Sequence, residues 1–121
     1  MILVDTSVWV AHFRKADPAL AALLDSGFAG THPFVIGELA CGNLKDRLRT
    51  LADVALLAAA PVAIEKDVRH LLEAHNLSGK GVGWVDLHLL ASVKLAGWSL
   101  WTLDAALAAA AAKLRVSLRF S

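Results

Sequence analysis

The sequence predicts an α/β domain in which a parallel sheet of about five strands lies between layers of helices, and three observations carry that expectation. Short aliphatic and β-branched runs alternate along the chain with longer stretches of helical periodicity. Hydrophobic residues make up 57% of the 121 positions and charged residues 19%, a composition that excludes disorder and requires a large core. The length fits one domain, residues 1–121, with no linker and no internal repeat.

The elements follow in order. Ile2–Val4 reads as a strand ending at Asp5, after which Thr6 and Ser7 offer capping hydroxyls to a helix carrying Val8, Trp9, Val10 and Phe13. Asp17 and Pro18 supply an N-cap and a first helical residue, and the Leu20, Leu23, Leu24 face stops at Gly27. Phe28–His32 predicts a brief strand, Pro33 opens a helix to Asn43, and Lys45–Leu57 reads as another amphipathic helix. A third short strand falls at Pro61–Ala63, and a helix from Glu65 to His75 ends at Asn76 and the Ser78-Gly79 turn. The glycine-rich segment Gly79–Gly83 reads as a loop, and Trp84–Ala96 is a helix closed by Gly97. Ser99–Leu103 is a strand, Ala105–Lys113 an alanine-rich helix, and Val116–Phe120 a closing strand. Strands and helices alternating in this way imply parallel pairing with helices on both faces.

Twelve basic and eleven acidic side chains leave a formal charge of +1, so no global field selects a charged ligand and any nucleic-acid contact must come from local patches. The single cysteine, Cys41, has no internal partner, and no basic segment precedes an apolar stretch at Met1, so the expected setting is the reducing cytoplasm. The longest apolar runs are broken or bounded by Pro61, Glu65, Asp104 and Lys113, far short of the ~20 residues a membrane helix needs.

Seven of the eleven acids sit in ordinary company. Asp17 caps a helix, Asp25 precedes a turn, and Asp46, Asp53, Glu65, Asp67 and Glu73 stand among polar or basic neighbours. Asp5, Glu38, Asp86 and Asp104 are embedded in apolar sequence, where an unpaired carboxylate is unfavourable. Asp86 shares a helical face with Leu89, Leu90 and Val93, and Glu38 shares one with Phe34, Val35, Cys41 and Gly42, so both are expected to point inward. Asp5 and Asp104 fall at the C-terminal ends of strands, the edge at which open parallel sheets place their crevices. Carboxylates gathered within ~5 Å repel by about 3 kcal/mol per pair at an effective dielectric near 20, which asks for a cation. Hard oxygen donors suit Mg²⁺, with Mn²⁺ as its surrogate, whereas His12, His32, His70, His75 and His88 show no zinc spacing. A carboxylate cage of this kind points to phosphodiester hydrolysis by an activated water. The plainer reading is that Asp5 and Asp86 cap helices and Asp104 starts one.

Taken together, Val4-Asp5-Thr6-Ser7-Val8-Trp9, Gly37-Glu38-Leu39, the segment from Gly83 through Asp86 to Ser92, and Leu100-Trp101-Thr102-Leu103-Asp104 resemble the VapC-type toxins of the PIN-domain ribonucleases. The resemblance spans essentially the whole chain. It implies a three-layer α/β/α PIN-like fold, a Mg²⁺-dependent endoribonuclease that is the toxin of a type II toxin–antitoxin system, and neutralisation by a cognate VapB-type antitoxin. Carried over residue by residue, it makes Asp5, Glu38, Asp86 and Asp104 both the metal ligands and the catalytic set. One departure is Ala105-Ala106-Leu107, where many members have a further polar or acidic residue and an aromatic.

Ser7 and Thr102 have hydroxyls near the acids, with a helix cap and an ordinary strand residue as their plainer roles. Arg14, Lys15, Lys45, Arg47, Arg49, Lys80 and Lys94 are candidates for phosphate contact, Lys80 foremost because its loop leads to Asp86. The tryptophans Trp9, Trp84, Trp98 and Trp101 read first as packing residues, and His88 as a packed histidine. Val8, Trp9, Phe13, Leu20, Leu23 and Leu24 supply apolar surface for an antitoxin helix, and a homodimer is expected on the same grounds. The competing reading is a noncatalytic PIN-fold module that binds RNA or protein. A phosphatase with Asp5 as nucleophile would want an acid at position 7, where the chain has Ser7.

Overall fold

The computed structural model describes residues 1–118. Four strands form one sheet: β1 (Ile2–Val4), β2 (Ala29–Thr31), β3 (Ala58–Ala59) and β4 (Ser99–Trp101), in the order β3-β2-β1-β4 with every pairing parallel. The helices α1 (Thr6–Arg14), α2 (Pro18–Ser26), α3 (Pro33–Cys41), α4 (Arg47–Ala55), α5 (Glu65–Ala74), α6 (Trp84–Ala96) and α7 (Ala105–Lys113) flank it, the three-layer architecture expected. Because β1, β2 and β3 build outward in one direction and β4 adds on the other side of β1, the chain reverses its direction of sheet growth between β1 and β4. That switch point opens a crevice at the C-terminal ends of those two strands, beside Asp5 and Asp104.

Several boundaries differ from expectation. The third strand lies at Ala58–Ala59 rather than Pro61–Ala63, because proline has no N–H for the ladder; Ala60 still donates to Thr31 before the chain leaves the sheet. β4 stops at Trp101 and not Leu103, since Thr102–Asp104 turn away to serve the crevice. Of the closing strand expected at Val116–Phe120, Ser117 makes a single parallel bridge to Leu100, and residues 119–121 lie outside the described part. The sheet therefore has four named strands among the described residues, not five. Asp5, rather than Thr6 or Ser7, occupies the N-cap of α1, which frees both hydroxyls for other partners.

The core is aliphatic. Leu3 and Val4 of β1, Leu89, Leu90 and Val93 of α6, Leu100 of β4 and Leu107 of α7 are almost wholly buried together. Burying a side chain of this size stabilises the fold by about 1.5–3 kcal/mol. The Trp98 ring lies across β2 where only Gly30 leaves room, since a Cβ there would collide with it. Gly27 and Gly97 end α2 and α6 in the left-handed conformation, φ 79° and 70°, as their sequence positions predict. Among the described residues, no helix is long and apolar enough to cross a membrane.

His32 is the polar exception inside this core. It caps α3, with Nδ1 accepting from the Phe34 N–H at 2.9 Å, so the ring proton sits on Nε2 and donates to Ser92 Oγ at 2.9 Å. Burial, and then the neighbouring His88, lower its pKa from 6.5 to about 4. The unfolded chain binds a proton at this residue in the pH range where the folded chain does not. Its contribution to stability is therefore complete above pH 6.5 and is lost as pH falls toward 4. Urea unfolding between these limits should show a loss on the order of 3 kcal/mol in the wild type that is absent from the pH slope of His32→Gln.

Candidate active site

Asp5 is placed by β1, whose last residue Val4 is fully buried, and its backbone N–H extends the ladder by donating to Trp101 O at 2.9 Å. The side chain is itself buried at 6% exposure and is satisfied by two hydroxyls. Ser7 Oγ and Thr102 Oγ1 each donate to Asp5 Oδ2 at 2.7 Å. Both hydroxyls in turn accept backbone N–H groups, Leu103 N–H to Ser7 Oγ and Asp104 N–H to Thr102 Oγ1, each at 3.0 Å. These directions follow because an amide can only donate. The carboxylate at the end of β1 is thus tied, through two relays, to the loop that follows β4.

The other acids arrive from three helices. Asp86 stands in the first turn of α6, half-buried, with Oδ2 accepting the Gly83 N–H at 3.0 Å. Glycine has no side chain to reciprocate, so this is half of a capping box. Asp104 is the N-cap of α7, its Oδ1 accepting from Leu107 N–H at 3.0 Å. Each of these two acids therefore does have the capping role of the plainer reading, using one oxygen. Glu38 departs from expectation: it is exposed, because the buried stripe of α3 runs through Val35 and Leu39, and Glu38 lies beside it. It reaches the same edge by another route, its Oε1 accepting from Thr6 Oγ1 at 2.8 Å, next to Asp5 in the chain.

Electrostatics shows how close the aspartates are. Burial raises the pKa of Asp86, the Gly83 N–H opposes this, and the negative charges of Asp5 and Asp104 raise it further. Among the described residues the ion pair is Arg69–Glu65, and no lysine or arginine is paired with any of the four acids. No three of the acids and histidines stand close enough to enclose a bare ion, again among the described residues. A cation held here would reach some of these acids only through its own waters. Mg²⁺ dehydrates reluctantly, keeps several waters and takes only one or two carboxylates directly, so oxygen donors such as these, each already engaged by one or two hydrogen bonds, would suit it.

Glu38 also borders a cleft of about 430 Å³ whose wall includes Arg14 and Lys45, two of the basic residues expected near phosphate. Arg47 is otherwise engaged, donating through Nε and Nη2 to Ala40 O at the end of α3. Ser7 and Thr102 were legible only as weak signals. Their sequence types allow a cap or a strand residue, and only the pairing of β1 with β4 brings them to one oxygen.

Comparison with known proteins identifies the family and the fold. The family model described as PIN domain matches residues 2–113. Ribonuclease VapC32 of Mycobacterium tuberculosis, in strains CDC 1551 / Oshkosh and ATCC 25618 / H37Rv, is 48% identical over 119 residues, covering 98% of this chain and 96% of the relative. Two solved structures share the fold at 17% identity. PAE2754 from Pyrobaculum aerophilum has a TM-score of 0.63 over 97% of this chain and 87% of its own. FitAcB from Neisseria gonorrhoeae has a TM-score of 0.61 over 93% of this chain and 94% of its own.

The raised pKa of Asp86 means that ionising it opposes folding when no cation is present. Asp86→Asn keeps an acceptor for Gly83 and removes the charge. In chelator at neutral pH its Tm should therefore exceed that of the wild type by a few degrees. The gain should shrink as pH falls and the wild-type carboxyl takes up its own proton. An unchanged or lowered Tm in thermal melts would show that the aspartates do not repel.

Proposed function

Because the chain belongs to the PIN-domain family, in its VapC ribonuclease branch, we propose that it is a metal-dependent endoribonuclease, the toxin of a toxin–antitoxin pair. Asp5, Glu38, Asp86 and Asp104 hold the metal and form the catalytic set. The observation that carries this reading is that Asp5, Asp86 and Asp104 meet at the β1/β4 switch point, close enough for the first and last to raise the pKa of Asp86, with no basic side chain among the described residues paired to any of them. Bound there, Mg²⁺, or Mn²⁺ in its place, would be held by the four acids and would supply Lewis acidity and a water whose lowered pKa makes it a nucleophile at neutral pH.

The chain's own residues do the positioning. Ser7 and Thr102 fix one oxygen of Asp5 and leave the other for a ligand. Gly83 does the same for Asp86, and Leu107 for Asp104. Arg14 and Lys45, across the cleft from Glu38, neutralise phosphates of the RNA strand without reading its sequence.

The toxin reading also implies a cognate VapB-type antitoxin. Trp9, Phe13, Leu24 and Leu57 line a cleft of about 270 Å³ between α1, α2 and α4, in which Phe13 is left 41% exposed. This is the part of the expected apolar groove that remains open, since Val8 and Leu20 are consumed by the core. A second copy of the chain covers further apolar surface, such as Leu56, Val62 and Ile64. A monomer in light scattering at high concentration would contradict that dimer.

The spacing of the acids gives the noncatalytic reading its one support, so the test must separate the two. Total RNA incubated with the purified chain should be cut in Mg²⁺ or Mn²⁺ and left intact in chelator. Asp5→Asn and Asp86→Asn should each reduce cleavage by about a hundredfold or more while circular dichroism stays native. Metal and RNA binding without any cleavage would favour the noncatalytic module, and cleavage surviving both substitutions would defeat the catalytic assignment.

A further inference from the structure

The four tryptophans have different fates. Trp9 and Trp101 are buried, and Trp98 is laid across Gly30, whereas Trp84, the first residue of α6, keeps 43% of its surface open. Its indole is nonetheless fixed in place. It stands edge-on to His88 one turn along the helix, with centroids 5.0 Å apart and an interplanar angle of 86°, and His88 stands edge-on to Phe34 at 4.8 Å. Beside these rings opens a cleft of about 480 Å³ lined by Glu65, Arg69, Trp84 and His88.

Two features say what chemistry the cleft accepts. Arg69 Nη2 is paired with Glu65 Oε1 at 2.8 Å, so the rim is charge-balanced while the wall is aromatic, which suits a flat neutral ring better than a phosphate. His88 is 7% exposed, and its Nδ1 is buried without a hydrogen-bond partner. That atom is closed to the cleft as well as to solvent, so the ring nitrogen left to meet a ligand's polar edge from this wall is Nε2.

We propose that this cleft is a subsite for one unpaired nucleobase of the RNA, stacked on Trp84 and hydrogen-bonded at its edge by His88. The proposal rests on the ribonuclease reading above. Trp84 and Asp86 both lie in the first turn of α6, on different flanks of it. A strand whose scissile phosphate sits at the acids passes the helix start, and a neighbouring base turns out toward the indole. Single-stranded RNA is recognised in this way, by bases splayed onto aromatic side chains and read along their edges. Trp84 gives affinity to any base, and the one imidazole gives preference among them.

The test uses the full chain with Asp86→Asn, so that RNA is held and not cut, and short single-stranded oligoribonucleotides in which each position in turn is made abasic. One abasic position should weaken binding by about tenfold or more. Trp84→Ala should weaken binding of the intact oligonucleotide by a similar factor and make the protein indifferent to that abasic position, with Trp84→Phe restoring most of the loss. His88→Asn should change which base is preferred there. Equal binding by Trp84→Ala, or a loss accompanied by a change of oligomeric state in light scattering, would overturn the subsite.

The two readings fail separately. If the chain with Asp86 intact cuts no RNA although the abasic effect depends on Trp84, the nuclease reading falls and the subsite stands. If Trp84→Ala in that chain cuts at the same sites with unchanged KM, the subsite falls and the nuclease reading stands.

Discussion

A carboxylate buried at the end of a central strand is stable only if something replaces the water it has lost, and at Asp5 that replacement is a pair of hydroxyls. Hydrogen bonds to a charged group are worth about 1.5–3 kcal/mol each, enough to hold the side chain in place. Because Ser7 comes from α1 and Thr102 from the loop after β4, the same two bonds join the strands that border the crevice. The position of Asp104 depends on them as well, since its backbone N–H is bonded to Thr102 Oγ1. The charge and the frame that holds it are therefore one structure.

That arrangement is stable but not optimised for stability. Asp86 is half-buried and faces two like charges with a single backbone donor to offset them. A chain selected only for stability would place a lysine at this edge or replace one of the acids with asparagine. Keeping Asp86 beside Asp5 and Asp104, in a fold whose core is otherwise well buried, fits a site whose missing charge is supplied from solution.

The sequence made much of this legible, and its failures have physical causes. Asp17-Pro18, Gly27 and Gly97 marked helix ends because capping is local chemistry, and α6 and α7 run over the residues their periodicity predicts. The third strand was misplaced because Pro61-Val62-Ala63 looks β-like in isolation, while the sheet uses the alanines before it, which their neighbours in β2 select. Glu38 was expected to point inward because Phe34, Val35, Cys41 and Gly42 share its helical spacing. Which side of a uniformly apolar helix faces the core is set by packing, and Val35 and Leu39 took that side. The partners of Asp5 are two and 97 residues away, so no local pattern could identify both.

The most direct test of the carboxylate site is where a paramagnetic ion sits. Mn²⁺ titrated into the isotopically labelled chain should broaden the amide signals of Asp5, Gly83, Asp86 and Asp104 first, with excess Mg²⁺ restoring them and Asp5→Asn abolishing the effect. Broadening centred on the exposed acids of α5, Glu65 and Asp67, or no site-specific broadening at all, would contradict the account.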